Sequence, residues 1–203
     1  MTYELLDSGH FKKLERIGGH IMVRPCPQAC WAPILPKVEW SKAKDTYLRS
    51  SKGGGKWQNN SLPSDWHIDY QGQKMLIRPT NFGHLGIFAE AAGNWKWLRE
   101  QAKPGMKALN MFAYTGGSSI AMAKGGAEVT HLDAAKGIVD WAKINASDNQ
   151  LSNIRWIVDD ANRFLDREIR RGNKYDALVM DPPSYGRGSK GEIWKIEDDI
   201  MPF

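Results

Sequence analysis

The 203-residue sequence is poor in long apolar runs and in cysteine. It has no stretch of eighteen or more apolar residues, which argues against a membrane-spanning helix. The N-terminal segment MTYELLDSGHFKKLER has no apolar stretch behind a basic start, so we expect no signal peptide and a cytoplasmic location. The two cysteines, Cys26 and Cys30, lie among prolines without a second Cys/His pair at ligand spacing. We therefore expect reduced thiols and no metal site.

The charge is unevenly distributed along the chain. The formal net charge is +5, and the whole excess lies in residues 1–100, which also hold six of the nine tryptophans. Basic groups attract phosphates and aromatic faces stack on unpaired bases, so this half is compatible with an RNA-docking surface. By itself, the composition somewhat favours the alternative, in which the tryptophans form a core and the lysines are solvated.

Residues 1–80 are predicted to form a small β-rich extension. Residues 15–24 (ERIGGHIMVR) hold a Gly-Gly turn inside a strand-like run, and residues 66–78 alternate on both sides of Gln71-Gly72, as in a hairpin. No internal repeat is visible. We place the boundary of a second domain at residue 81, so that this domain covers residues 81–203.

The second domain alternates between helical and strand-like segments. After a helix at residues 89–101, short apolar strands are predicted at 107–112, 128–133, 154–158 and 175–181, with helices at 118–124, 136–147 and 162–171 between them. Such alternation predicts an α/β fold with a Rossmann-like, doubly wound, mostly parallel sheet. Residues 192–200 are predicted to begin another helix.

Ligands of such sheets bind at the carboxyl ends of the strands, so the residues after each strand are candidates. Two glycines after the first strand would let a ligand approach the backbone closely, although an ordinary turn has the same composition. The G-x-G-x-x-G fingerprint is absent, which counts against NAD or FAD. This first segment comprises Phe112, Ala113, Tyr114, Thr115, Gly116 and Gly117.

Acidic residues follow the second and third strands. The carboxylate of Asp133 can accept hydrogen bonds from both hydroxyls of an adenosine ribose. Asp160, directly before the small Ala161, can accept a hydrogen bond from the adenine amino group. Asp133, Asp159 and Asp160 are equally suited to cap the helices that follow, and a cap and a ligand contact can coexist.

The segment after the fourth strand begins Asp181-Pro182-Pro183-Ser184-Tyr185. Two prolines fix φ and remove N–H donors, so the loop is rigid and its carbonyls remain available. Such a loop can hold a flat acceptor base and accept hydrogen bonds from its amino group. Asp181, Pro182 and Tyr185 are therefore the candidate catalytic residues.

Together these residues match a known family. The segment Leu109–Gly117 (LNMFAYTGG), followed by Asp133, Asp159-Asp160 and Asp181-Pro182-Pro183, resembles the class I methyltransferases related to the bacterial 23S ribosomal RNA cytosine-5 methyltransferases. The resemblance covers roughly residues 80–190 and implies S-adenosylmethionine as cofactor. It implies that residues 112–117 cradle the methionine part, with Asp133 on the ribose, Asp160 and Ala161 at the adenine, and Asp181 near the methyl group.

The sequence departs from that family in two ways. Residues 1–80 do not resemble the PUA RNA-binding domain of the best-known relatives. Family members also continue past Asp-Pro-Pro with three further strands, where the cytosine-5 enzymes carry a nucleophilic cysteine. We therefore expect a chain truncated at its C-terminus and an incomplete sheet, and covalent cytosine-5 chemistry is not assigned to this chain.

The function expected from the resemblance is methyl transfer from S-adenosylmethionine to RNA, foremost ribosomal RNA. The alternatives are a methyltransferase of a protein or a small molecule, and an inactive fragment that binds S-adenosylmethionine. A nicotinamide oxidoreductase is disfavoured by the missing glycine fingerprint. No metal is expected, and the oligomeric state is left open.

Overall fold

The computed structural model describes residues 2–51, 54–59, 61–187, 191 and 193–201. The chain divides into two compact units, Met1–Ala89 and Glu90–Phe203. The domain boundary predicted at residue 81 stays a prediction. Within the described ranges, no helix has the length and apolar character needed to cross a bilayer.

The first unit consists mainly of antiparallel hairpins. One sheet has five strands in chain order, and a separate hairpin has two. In the larger sheet β3 and β4 pair in parallel, with a short helix α1 between them, and the other pairs described in this sheet are antiparallel. The bounds are β1 (Tyr3–Gly9), β2 (Lys12–Ile17), β3 (His20–Pro25), α1 (Lys37–Trp40), β4 (Asp45–Arg49), β5 (Gly55–Gln58), β6 (Trp66–Tyr70) and β7 (Gln73–Ile77).

The hairpin predicted at residues 66–78 is confirmed, and the Gly-Gly turn predicted within residues 15–24 joins two paired strands. β2 pairs with β3 across Gly18-Gly19, and β6 pairs with β7 across Gln71-Gly72. Gly18, Gln71 and Gly72 have φ values of 65°, 51° and 77°, the left-handed conformation that a tight hairpin turn requires. The β-rich character expected for this part of the chain therefore follows from local turn chemistry.

The second unit is the predicted parallel α/β sheet. The boundary between the units falls in a 3-10 turn (Ala89–Ala91), which helix α2 (Ala92–Gln101) follows. Strands and helices then alternate as β8 (Lys107–Met111), α3 (Gly117–Lys124), β9 (Glu128–Asp133), α4 (Lys136–Asp148), β10 (Ile154–Val158), α5 (Ala161–Arg170) and β11 (Ala177–Met180).

All pairings in this sheet are parallel, and the order is β10-β9-β8-β11. Counted within the unit this is 3-2-1-4, the beginning of the doubly wound order. Consecutive residues of β8 are buried from Ala108 to Met111, as expected for a strand covered on both faces. Leu109, Met111, Leu132, Ala161 and Phe164 form a buried apolar cluster beside the ends of these strands.

The helix predicted over residues 192–200 is wrong in its first part. Residues Ile193–Lys195 form strand β13, which pairs antiparallel with β12 (Tyr185–Arg187), and only Ile196–Asp199 are helical, as α6. The indole N–H of Trp194 donates to the Pro183 carbonyl at 2.7 Å, and its ring contacts Phe112. These non-local contacts favour the extended conformation over the helix. Glu192 lies outside the described residues.

Candidate active site

A cavity of about 300 Å³ lies at the carboxyl ends of β8, β9 and β10. Its lining includes three carboxylates that follow these strands, Asp133, Asp159 and Asp160, and it has apolar surface from Phe112 and Trp194. This is the edge of the sheet at which the sequence predicts a ligand.

A larger cleft of about 450 Å³ lies at the opposite edge, where the same strands begin. Its lining includes Lys107, Glu128 and Arg155, together with the buried Glu168. Glu168 Oε2 accepts hydrogen bonds from Tyr175 Oη at 2.6 Å and from Asn173 Nδ2 at 2.9 Å. Because these bonds hold α5 to the loop before β11, we interpret the cleft as structural and assign the site to the smaller cavity.

The loop between β8 and α3 has an unusual backbone. Phe112, Tyr114 and Gly116 have φ values of 53°, 50° and 95°, all in the left-handed region. Non-glycine residues in this region cost about 1–3 kcal/mol each, and such strain concentrates at functional sites. The strain is supported locally, because Ala113 N donates to the Leu132 carbonyl and Tyr114 N donates to Asp133 Oδ2, at 3.1 and 3.0 Å.

The two glycines of this loop serve packing within the protein. A Cβ on Gly117 would lie 2.4 Å from Cζ2 of Trp95, and one on Gly116 would lie 3.3 Å from Cβ of Ala142. Protein atoms thus lie close to the position that a Cβ of either residue would occupy. Phe112 lines the cavity, whereas residues 113–117 are outside its lining as far as the described chain shows. The cofactor contacts of Ala113, Tyr114, Thr115, Gly116 and Gly117 stay predictions.

A buried polar network lies behind the loop. Asn110 Nδ2 donates to Ser119 Oγ at 2.9 Å, and the Ser119 hydroxyl lies 2.9 Å from His131 Nδ1. The Ser119 hydroxyl therefore bridges Asn110 and His131, and with one proton and two lone pairs it can either donate to Nδ1 or accept from it. Burial lowers the pKa of His131 to about 3. Asn145 Nδ2 donates to the Thr115 carbonyl at 2.9 Å and fixes the loop from α4.

Asp133 is held by backbone amides at the end of β9. Its Oδ1 and Oδ2 accept from Ala135 N and Tyr114 N, both at 3.0 Å. Burial raises the pKa of Asp133, and the hydrogen bonds from Ala135, Tyr114 and Ala134 oppose that rise. The N-cap of α4 is Ala135, so Asp133 is not the cap residue itself. Its carboxylate lines the cavity as an oriented acceptor.

The two acids after β10 have different environments. Asp159 accepts from the guanidinium of Arg167 and from Asp160 N. Burial acts to raise the pKa of Asp159, but the bonds from Arg167 and the Asp160 amide and the nearby positive charges lower it overall. Asp160 is the N-cap of α5 and accepts from Arg163 N at 3.0 Å through Oδ1. The capping alternative therefore holds for Asp160, and its contact with adenine stays a prediction.

The residues after β11 contribute differently from what the sequence indicates. Asp181 and Tyr185 are exposed, and neither they nor Pro182 belong to the cavity lining in the part of the chain that the structure describes. Pro183 and Trp194 do line it. The Trp194 ring lies on Phe112, with centroids 4.9 Å apart and planes at 50°. Sequence reasoning does not identify Trp194, because its segment is interpreted as a helix. The signal that could have identified it is an aromatic residue in a polar stretch.

Comparison with known proteins identifies the family. Residues 45–195 match the S-adenosylmethionine-dependent methyltransferase family. The chain is 28% identical over 169 residues to ribosomal RNA large subunit methyltransferase K of Neisseria meningitidis, covering 81% of this chain and 45% of that protein. It is 33% identical over 129 residues to ribosomal RNA large subunit methyltransferase I of Aeromonas salmonicida, covering 62% of this chain and 32% of that protein.

A crystal structure gives a closer match. The S-adenosylmethionine-dependent methyltransferase from Agrobacterium tumefaciens superposes with a TM-score of 0.90 at 41% identity, over 97% of this chain and 64% of that one. The present chain thus spans less than half of both curated relatives and about two thirds of the solved structure. The family match includes β8, β9, β10 and β11 and the loops after the first three of these strands, and the chain belongs to the S-adenosylmethionine-dependent methyltransferase family.

Proposed function

We propose that the protein transfers a methyl group from S-adenosylmethionine to ribosomal RNA. The observation that carries the proposal is the cavity at the ends of β8, β9 and β10, where the acceptor carboxylates of Asp133 and Asp160 lie with the aromatic pair Phe112 and Trp194. The acceptor is inferred from the curated relatives, which are named as methyltransferases of large-subunit ribosomal RNA. With that acceptor, the activity would be cytoplasmic.

The cavity fits the adenosine part of the cofactor. Adenosine offers two neighbouring ribose hydroxyls and one amino group as donors, and the cavity offers carboxylate acceptors on two adjacent strand ends. In this arrangement Asp133 accepts from the ribose and Asp160 from the adenine, while the small Ala161 leaves room for the base. Phe112 and Trp194 supply apolar surface for a flat ring.

The cofactor supplies a methyl group activated on a sulfonium sulfur. The protein's own contribution is placement, because alignment of the reacting atoms removes much of the barrier. In the proposed mechanism, Asp181 accepts hydrogen bonds from an amino group of the acceptor, and Pro182 and Tyr185 shape the loop that holds its ring. Attack through carbon requires a cysteine nucleophile, and Cys26 and Cys30 both lie in the first unit. Covalent cytosine-5 chemistry is not assigned to this chain.

The first test is calorimetric titration of the 203-residue chain with S-adenosylmethionine, with NADH as control. We expect saturable binding of S-adenosylmethionine alone. Asp133→Ala should weaken it by about 1–3 kcal/mol, since the ribose hydroxyls lose their acceptor. Asp69→Ala, which removes an exposed carboxylate of β6, is the matched control and should bind normally. If Asp133→Ala bound S-adenosylmethionine as tightly as Asp69→Ala, the assignment of Asp133 to the ribose would be wrong. Binding of NADH instead of S-adenosylmethionine would contradict the proposed function.

The acceptor is tested by incubating the chain with radiolabelled S-adenosylmethionine and unmodified large-subunit ribosomal RNA or an equivalent protein extract. Label that enters RNA and is released by nuclease supports the proposal. Label that resists nuclease and is released by protease would support the alternative of a protein acceptor.

A further inference from the structure

The first unit exposes a group of large apolar side chains. Phe11, Trp31, Ile34 and Val38 are 59%, 52%, 89% and 62% exposed. Other tryptophans of this unit, at positions 40, 57 and 66, are at least partly buried, so they belong to the packed part of the unit. We call the exposed side chains of Phe11, Lys12, Trp31, Ile34, Lys37 and Val38 the aromatic–lysine surface.

The turn between β1 and β2 and the loop after β3 hold this surface together. His10 N donates to the Trp31 carbonyl at 2.8 Å, and Phe11 N donates to the Ala29 carbonyl at 2.7 Å. The indole N–H of Trp31 donates to the Ser8 carbonyl at 2.9 Å. The ring is therefore fixed in orientation, although half of its surface meets solvent. A fixed and exposed ring loses little conformational entropy when a partner stacks on it.

A buried carboxylate orients the rest of the surface. Asp7 is 8% exposed, and its oxygens accept from Leu35 N and Trp40 Nε1, both at 2.9 Å, and from Ile34 N at 3.3 Å. These bonds pin the segment that carries Ile34, Lys37 and Val38. Burying a carboxylate costs free energy unless the carboxylate is hydrogen-bonded. Here the hydrogen bonds to Asp7 fix the segment that carries Ile34 and Val38, whose apolar side chains face water.

The charge of this surface has one sign. Residues 8–13 and 25–38 contain no aspartate or glutamate, and they include Lys12, Lys13 and Lys37. Lys13 pairs with Glu15, whereas Lys12 and Lys37 are exposed and form no ion pair with any described residue. Two copies of the surface would bring like charges together, which disfavours self-association through it. Exposed rings beside lysines suit a partner with flat bases and phosphates.

We propose that the aromatic–lysine surface binds single-stranded RNA, with Phe11 and Trp31 stacking on unpaired bases and Lys12 and Lys37 contacting phosphates. The inference rests on the proposed ribosomal RNA acceptor and adds the part of the chain that captures it.

The test is the fluorescence anisotropy of a labelled oligouridylate titrated with the 203-residue chain at several salt concentrations. Trp31→Ala should weaken binding roughly 5- to 150-fold, the loss expected for one stacked base. Trp97→Ala is the matched control, because Trp97 is 59% exposed and lies in α2 of the second unit. It should bind as wild type. Lys12→Ala should lower the slope of log affinity against log salt by about 0.7, because one phosphate contact to a single strand is lost.

Lys12 is exposed, so its variant keeps the test decisive if Trp31→Ala does not fold. Wild-type affinity in both Trp31→Ala and Lys12→Ala, or an equal loss in Trp97→Ala, would overturn the inference. So would a Trp31→Ala chain that self-associates less than wild type while binding RNA unchanged, since the partner would then be a second copy.

Titration of the same chains with S-adenosylmethionine separates this inference from the proposed function. A chain that binds the cofactor but no oligouridylate overturns the RNA surface alone. If Trp31→Ala loses oligouridylate binding but the wild-type chain does not bind S-adenosylmethionine, the RNA-binding surface is supported and the methyl-transfer proposal is overturned.

Discussion

Among single residues, His131 is a titratable side chain that is fully buried. It is 0% exposed, and its Nδ1 lies within hydrogen-bond distance of the Ser119 hydroxyl, which also accepts from Asn110. Burial of the ring disfavours the charged imidazolium, so the imidazole is neutral in the folded protein. Since these residues lie behind the loop that carries Phe112 and Tyr114, the neutral form is part of what fixes the candidate site.

The pH dependence of stability should report this histidine. Burial lowers its pKa from 6.5 to about 3, so between these values the unfolded chain binds a proton that the folded chain does not. The contribution of His131 to stability is therefore full above pH 6.5 and is lost as the pH falls towards 3, at about 1.4 kcal/mol per pH unit.

The measurement is the ring-proton NMR shift of His131, assigned by its disappearance in His131→Asn. We expect the shift of a neutral imidazole down to about pH 4, one unit above the lowered pKa. Titration near 6.5 would show that burial does not exclude the charged form.

Sequence reasoning reaches some site residues and not others for a physical reason. Phe112, Asp133 and Asp160 lie at or just after the carboxyl ends of parallel strands, so their positions follow from local pattern and topology, and the structure brings them to one cavity. Trp194 reaches the same cavity only because its indole bonds Pro183 and its ring contacts Phe112, and neither contact is visible in local periodicity.

Among the elements, the packing of α2 against α3 depends on a glycine. Gly117 begins α3, and a Cβ there would lie 2.4 Å from the ring of Trp95, which is 3% exposed and has little room to turn. Gly117→Ala should therefore destabilise the protein by about 1–3 kcal/mol, the usual cost of overpacking. The free energy of unfolding in urea, followed by circular dichroism, measures this change.

Gly93→Ala is the matched control, because Gly93 lies in α2 and a Cβ there would meet no atom within 4 Å. Alanine suits a helix better than glycine, so this variant should be neutral or more stable by up to about 1 kcal/mol. Equal stability of the two variants would mean that the Trp95 ring moves aside and that Gly117 is not required for packing.

The helices and strands that turn residues bound can be predicted from the sequence. The strands at residues 128–133 and 154–158 match β9 and β10 at both ends, since each follows a glycine- or asparagine-containing turn. The helix prediction at residues 193–195 is wrong for the opposite reason. That segment lacks an apolar period of its own, and its extended conformation comes from pairing with Tyr185–Arg187.

For the whole molecule, the parallel sheet ends in an unusual strand. Both central strands, β8 and β9, are almost entirely buried, whereas in β11 Leu178 and Met180 are 63% and 45% exposed. Among the described strands, β11 pairs only with β8. Its other side therefore presents backbone N–H and C=O groups beside exposed apolar side chains, the combination that promotes pairing between chains.

We therefore expect the 203-residue chain to self-associate as its concentration rises, measured by sedimentation velocity. The double variant Leu178→Lys, Met180→Lys should reduce this association, because charges on an edge strand oppose pairing with another strand. Ile169→Lys is the control, since Ile169 is 74% exposed but lies on helix α5. A wild-type chain that stays monomeric at every concentration, or an equal effect of Ile169→Lys, would show that the edge of β11 does not drive association, and the exposed apolar residues would then need another explanation.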